Sequence, residues 1–219
     1  AALETWPQIV VLALADANPH FLELARKLAP RSDAQFLGRD LLRDKLPPAD
    51  LVIAGYVLAE IAAPALGGAI EKLFAAAQDV LVLIEPGTPA GFERLRAART
   101  QLLAAGARVI GPCTHGAGCP IAAPDWCHFS QRQPRSRDHM RAKDASVPYE
   151  DERYAWLAVS GRRRSQFEGR SRVLVPPHDS KPGIEFKLCT PVGLDRSFVA
   201  RRDKDVFARL RRARWGDVV

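Results

Sequence analysis

The chain has 219 residues, a hydrophobic fraction of 47% and a formal net charge of +7, which excludes a disordered polymer and allows one large or two small cores. No apolar run is long enough to span a bilayer and no basic n-region opens the chain, so a soluble protein without a membrane partner is predicted. Residues 1–110 carry 11 Lys+Arg against 12 Asp+Glu, leaving 21 against 13 for residues 111–219, so the basic excess belongs to the second half. Two readings fit that asymmetry: a scaffold carrying a polyanion-binding surface, with nucleic acid the first candidate, or a solvated surface that favours arginine.

The opening AALETW reads as the tail of a helix, so further native sequence is expected upstream. Gln8–Ala15 is a continuous apolar, β-prone run ending at Asp16, which fits a buried parallel strand. Asn18 is placed as an N-cap and Pro19 at the first helical position. Phe21, Leu22, Leu24, Ala25 and Leu28 follow at helical spacing, and Pro30 is the expected stop. A short strand at Ala34–Leu37 leads to Asp40. Asp50–Tyr56 is a second buried strand, followed by a helix ending near Ala77. Asp79–Ile84 is the next strand. Thr88 and Pro89 start a helix through Ala105, Gly106 ends it, and Ala107–Ile110 begins another strand.

Apolar strands alternating with helices predict an α/β fold with a parallel, doubly wound, Rossmann-like sheet. The pattern then changes. Residues 130–153 read as a polar, mostly basic connection, and Tyr154–Ser160 as a strand that rejoins the sheet. Three β-prone segments follow at Arg172–Val175, Gly183–Cys189 and Arg196–Ala200. Asp205–Trp215 is expected to be a helix with Val206, Leu210 and Ala213 on its apolar face. The expected organisation is a core over 1–111, a cysteine loop and basic connection over 112–153, and a last core strand with a basic β-rich appendage over 154–219.

Three of the four cysteines, Cys113, Cys119 and Cys127, fall in one Pro- and Gly-rich stretch, PCTHGAGCPIAAPDWCHF, and the fourth is Cys189. Without a secretory signal, such clustering favours metal ligation over disulfides. Four thiolates complete either an iron–sulfur cubane or a tetrahedral zinc site. The gaps of five and seven residues are wider than a zinc knuckle, yet cluster, zinc and unliganded buried thiols all stay open on spacing alone. His115 and His128 read as loop residues that could replace a thiolate at zinc. Trp126 and Phe129 either stack on bases or pack around the cysteines.

Ligands of doubly wound sheets bind at the carboxyl ends of the strands. Asp16 sits at such an end, where a carboxylate can accept from a ribose diol, and Asp40, one strand later, can lie near an adenine; the alternative for each is a turn or N-cap aspartate. No Gly-x-Gly precedes Asp16, so the first strand and its glycine turn are expected upstream of Ala1. No nucleophilic triad or carboxylate dyad is evident. Glu85, in Glu-Pro-Gly, reads as a base at the cofactor edge or as a turn residue, and Tyr149–Arg153, YEDER, as a helix cap or salt-bridged turn.

The runs DLVIAGYVLAEI, LVLIEPGTPAGF, PCTHGAGCP, DWCHFSQR, PYEDERYAWLAVS and ARRDKDVFARLRRARWGD, in that order, resemble the mitochondrial and bacterial small-ribosomal-subunit methyltransferase-like assembly proteins over nearly the whole chain. The resemblance implies a class I S-adenosylmethionine methyltransferase fold, a role in small-subunit assembly, contact with its ribosomal RNA, and a four-cysteine 4Fe–4S site. Matched onto this sequence, the ligands are Cys113, Cys119, Cys127 and Cys189. The family's glycine-rich cofactor loop has no counterpart in residues 1–219.

Arginine forks suit phosphate oxygens. Candidate RNA-binding residues are Arg132, Arg135, Arg137, Arg141 and Lys143 after the cysteine loop, Arg162, Arg163 and Arg164 beyond the rejoining strand, and Arg209, Arg211 and Arg212 near the end. The reading is a ribosome-assembly protein, a monomer when free, in the cytoplasm of a bacterium or the mitochondrial matrix of a eukaryote. The alternatives are an active S-adenosylmethionine-dependent RNA methyltransferase and a zinc-stabilised RNA-binding protein.

Overall fold

The computed structural model describes residues 2–29 and 33–219, which group into two compact units, 1–47 and 48–219. The first holds helix α1 (Ala2–Thr5), strand β1 (Ala13–Asp16), helix α2 (Pro19–Leu28) and strand β2 (Gln35–Gly38). β1 and β2 run parallel, with Asp16 opposite Gly38. The strand expected from Gln8 starts only at Ala13, and Val10 and Val11 before it are exposed. Asn18 caps α2 as expected, its side chain accepting from the His20 amide at 3.0 Å. Of the apolar residues expected on the helix's buried face, Leu22 is buried while Phe21, Leu24 and Leu28 are exposed. The stop placed at Pro30 lies outside the described residues.

The second unit opens with β3 (Ala49–Gly55), a 3-10 turn at Leu58–Glu60, α3 (Ala63–Ala76), β4 (Ala77–Pro86), α4 (Pro89–Ala104) and β5 (Arg108–Gly111). β3 and β4 are parallel, and Leu81 and Leu83 of β4 are fully buried. Thr88 caps α4 through its hydroxyl, which accepts from the Gly91 amide at 3.1 Å. Gly106 ends it with φ +85, a left-handed conformation that a side chain disfavours. Phe92, Leu95, Ala98 and Leu102 make the buried stripe of α4.

The α/β class is as read, and the later strands add an antiparallel part. The stretch 130–153 is no irregular connection: it forms β6 (Phe129–Pro134), α5 (Arg137–Ala142) and the first half of β7 (Tyr149–Ser160). β7 lies antiparallel between β4 and β5, giving the order β3-β4-β7-β5, and β6 pairs with its first half. YEDER is therefore strand rather than cap or turn. The register places Arg132 opposite Asp151, so complementary charge lets polar, solvent-facing segments pair where apolar patterning gave no signal.

The remaining strands, β8 (Arg172–Val173), β9 (His178–Asp179), β10 (Gly183–Thr190) and β11 (Gly193–Ala200), form a separate antiparallel sheet in which β8, β9 and β11 all pair with β10. Val173, Ile184, Phe186, Leu188 and Val199 are its core. The last helix, α6 (Lys204–Leu210), is shorter than the expected Asp205–Trp215. Leu210 and Ala213 pack on the core as expected, but Phe207 joins them in place of Val206, which is exposed.

Candidate metal centre

The chain leaves β5 at Gly111 and crosses to β6 through the cysteine loop, while Cys189 arrives from β10 of the second sheet. All four cysteines are free thiols, and all four line one cavity of about 50 Å³. Phe92 from α4, Ile121 from the loop and Leu174 after β8 give it apolar walls. Two elements distant in sequence thus deliver sulfur to one place.

Three arginines line the same cavity, and one of them, Arg96, is engaged by Glu93 through Nε at 3.0 Å and Nη2 at 2.5 Å. Arg99 lies on the otherwise apolar stripe of α4 and is buried. Its Nη2 donates to the carbonyls of His115 and Ala117 at 2.9 and 2.7 Å, which pins the loop. Arg172 of β8 donates to the Pro112 carbonyl at 2.7 Å and to the Gly216 carbonyl at 2.5 Å. Arg99 Nε and His115 Nδ1 are buried with no hydrogen-bond partner among the described residues, and His115 Nε2 sits 3.5 Å from Cys189 Sγ.

Burial sets the protonation of the thiols. It pushes Cys113 and Cys127 up, and Cys189 up to about 12, with neighbouring thiols adding to the effect on each and Arg99 and Arg172 opposing it on Cys189. Cys113, Cys127 and Cys189 are therefore neutral thiols at pH 7 unless a cationic centre takes their protons' place. Burial works against the charge of Arg172, and the thiols beside it work in its favour. Burial also lowers His115 and His128.

The loop is fastened at its far end by aromatic side chains. Trp126 stacks on His128 at 5.0 Å, and His128 meets the edge of Trp215 at 4.9 Å. Trp126 Nε1 donates to the Gly87 carbonyl at 3.0 Å, and Asp125 pairs with Lys187 of β10. Trp126 and Phe129 therefore pack inside the protein, Phe129 at 6% exposure.

The four thiols, with no carboxylate in the lining, are soft donors of the kind that iron–sulfur clusters and zinc both take. Among the described residues no group of three or more His, Cys, Asp or Glu side chains is arranged to hold a single metal ion.

The candidate RNA-binding residues fall into three settings. On β6 and α5, Arg132 makes a two-point pair with Asp151 at 2.7 and 2.9 Å and lies over the Tyr149 ring. Arg135 and Lys143 share Glu150, at 3.1 and 3.5 Å, and Arg141 faces Asp138 at 3.8 Å. Arg137 is exposed at the start of α5. After β7, Arg163 grips Asp79 at 2.5 to 2.8 Å and Arg164 reaches Glu168 at 3.7 Å. The exposed Arg162 has its backbone held, its amide donating to Ser160 Oγ at 3.1 Å. At the end of α6, Arg209, Arg211 and Arg212 are exposed, and no ion pair to them is among those of the described residues.

Asp16 and Asp40 follow neighbouring parallel strands, and each serves its own turn. Asp16 Oδ1 accepts from the Asn18 amide at 2.7 Å, and Asp40 Oδ1 from the Leu42 amide at 2.8 Å. Glu85 is fully buried and paired with Arg94 at 2.7 Å, the structural role rather than that of an accessible base. Sequence reasoning missed Arg99 and Arg172. A charged residue on the apolar stripe of α4 was the available signal for Arg99; Arg172 carried none.

A family model described as mitochondrial small ribosomal subunit Rsm22 matches residues 1–219. None of the curated proteins compared matches the chain. Among solved structures, an O-methyltransferase family 2 protein from Planctomyces limnophilus DSM 3776 is similar at 14% identity and TM-score 0.46, over 74% of this chain and 45% of its own. Magnesium protoporphyrin IX methyltransferase from Synechocystis PCC 6803, with SAH bound, is similar at 14% identity and TM-score 0.43, over 73% and 67%. A putative methyltransferase from Thermoplasma acidophilum is similar at 11% and 0.42, over 76% and 62%. The chain thus spans under half of the first of these structures.

Proposed function

Since the chain belongs to the Rsm22 family of the mitochondrial small ribosomal subunit, we propose that it is a small-subunit assembly factor that binds ribosomal RNA through its basic surfaces. In this reading Cys113, Cys119, Cys127 and Cys189 hold a 4Fe–4S cluster on a methyltransferase-like scaffold. The observation that carries the metal centre is the convergence of all four cysteines, from two sheets, on one cavity flanked by Arg99 and Arg172. When bound, the cluster supplies a four-point crosslink between the loop after β5 and strand β10, so its binding free energy becomes folding free energy. Around it the chain does the holding: Arg99 fixes the loop carbonyls, Arg172 ties the loop to the C-terminal segment, and the Trp126–His128–Trp215 stack shields the far side. Zinc is the competing occupant.

The basic residues then meet RNA phosphates, in the mitochondrial matrix if the source is eukaryotic and in the cytoplasm if it is bacterial. Association with RNA weakens steeply with salt through counterion release. Anaerobic purification followed by iron, sulfide and zinc analysis, with binding to a small-subunit RNA fragment at two salt concentrations, tests both halves. Zinc in place of iron and sulfide removes the cluster; salt-insensitive or absent RNA binding removes the RNA role.

A second reading, S-adenosylmethionine binding, is favoured by Asp16 and Asp40 standing at the ends of adjacent parallel strands. Residues 1–219 offer these two acids for the nucleoside but no glycine-rich turn for the rest of the cofactor, so no methyl-transfer step is derived. Calorimetric titration with S-adenosylmethionine, compared with Asp16→Asn, checks it; equal heats from both proteins reject it.

A further inference from the structure

The three basic clusters are unequal, and the difference singles out the third. Most cationic side chains of the first two already have a carboxylate, so binding a phosphate there means exchanging one anion for another. Arg209 and Arg212, one turn apart at the end of α6, instead line an open cavity of about 810 Å³. This lies within the range that accommodates a ligand of nucleotide size.

Another part of the lining comes from the loop before β8. There Phe167 and Arg170 line the same cavity, and both are exposed. The loop is held in shape. The Phe167 amide donates to Ser165 Oγ at 3.1 Å, and Gly169 turns with φ +82, a conformation that suits glycine. The Gly169 amide donates to the Thr114 carbonyl at 3.0 Å, and Thr114 Oγ1 donates to the Arg170 carbonyl at 2.6 Å. Arg172 forms part of the lining and adds charge, its donors being committed to Pro112 and Gly216. The acid in the lining, Asp217, is engaged through Oδ2 by the Arg214 amide at 2.8 Å. Arg170, whose Nε donates to the Val219 carbonyl at 3.5 Å, and the exposed Arg209 and Arg212 outnumber the Asp217 side chain and leave the cavity cationic.

We propose that this cavity is a subsite for an unstacked nucleotide of single-stranded RNA, with Arg170, Arg209 and Arg212 on its flanking phosphates and its base against the Phe167 ring. The proposal rests on the RNA-binding reading above and deepens it. A concave, arginine-lined site with one exposed aromatic fits a splayed nucleotide better than a duplex, whose convex backbone would meet the rim and leave the ring unused. An acidic peptide would match the charge but gains nothing specific from the ring.

The test is fluorescence anisotropy of the full chain with a labelled uridine-rich 12-mer, and with a duplex of the same length, at two salt concentrations. The intact protein is expected to prefer the single strand. Arg209→Ala with Arg212→Ala should weaken single-strand binding at least tenfold and lower the salt slope by roughly 1.4, about 0.7 for each phosphate that is no longer neutralised. Arg209→Lys with Arg212→Lys should restore the slope, since the charge is kept. Phe167→Ala should weaken binding about tenfold with the slope unchanged, because stacking releases no counterions. Lys45→Ala with Lys181→Ala, removing two exposed charges elsewhere, should change affinity less than twofold. If the intact chain binds RNA and the two groove variants bind equally well, the subsite is wrong and the RNA-binding reading stands. Preference for the duplex, or displacement of RNA by polyglutamate from the groove alone, also overturns the subsite. If the intact chain binds neither RNA, the RNA-binding reading falls first.

Discussion

Arg99→Met removes the cation that holds the cysteine loop while keeping much of the side chain's volume. Arg99 is 5% exposed and donates from Nη2 to two loop carbonyls, at 2.9 and 2.7 Å. Hydrogen bonds involving a charged group contribute roughly 1.5–3 kcal/mol each. Relief from burying the guanidinium returns part of that, so the net loss is about 3 kcal/mol. For a domain of this size each kcal/mol moves the melting midpoint by about 2–4 °C; the expected fall is therefore roughly 6–12 °C. Arg99→Lys, which keeps the charge but not the fork, should fall between the two. The assay is thermal unfolding followed by circular dichroism, with urea unfolding as a check that the m-value is unchanged. A midpoint within about 2 °C of the parent would refute the assignment of Arg99 as the anchor of the loop.

Cys189→Ser is expected to abolish iron and sulfide binding and to loosen residues 160–219, read by metal analysis and hydrogen exchange; unchanged metal content and melting would reject the crosslink. Phe186, 2% exposed in the core of the second sheet, should cost about 3–5 kcal/mol as Phe186→Ala in urea unfolding, and a loss below about 1 kcal/mol would mean this sheet is not part of the cooperative unit. Asp79 is held below the usual carboxylate range, chiefly by its hydrogen bonds from Arg163. Its folded pKa is depressed, so the contribution is present above the unfolded value and is lost as pH falls through the folded one. The melting difference between parent and Asp79→Asn should be largest near neutral pH and shrink as pH falls through the depressed folded value; a pH-independent difference would contradict the pairing.

The strand-and-helix alternation of residues 49–111 was legible because each element carries its own local signals: apolar strand interiors, the Thr88 cap, the Gly106 terminator. The β6–β7 pairing was not, since its residues are polar and only the opposition of Arg132 to Asp151 betrays it, a signal that appears once the register is known. The same limit applied to the arginines: one sequence run looks like another until the carboxylate partners are in place, and those partners lie as far away as Asp79 from Arg163.

Sequence alone determined the composition of the candidate centre, because three cysteines in one Pro- and Gly-rich stretch and a fourth at Cys189 restrict the chemistry to a few outcomes whatever the fold. Only the tertiary structure decided that the four share one cavity, that Arg99 and Arg172 stand beside them, and that Arg209 and Arg212 line one cavity with Phe167 and Arg170. Each of these depends on the packing of β8 and β10 and of the segment after α6. Such contacts join residues far apart along the chain, and local propensity carries no record of them.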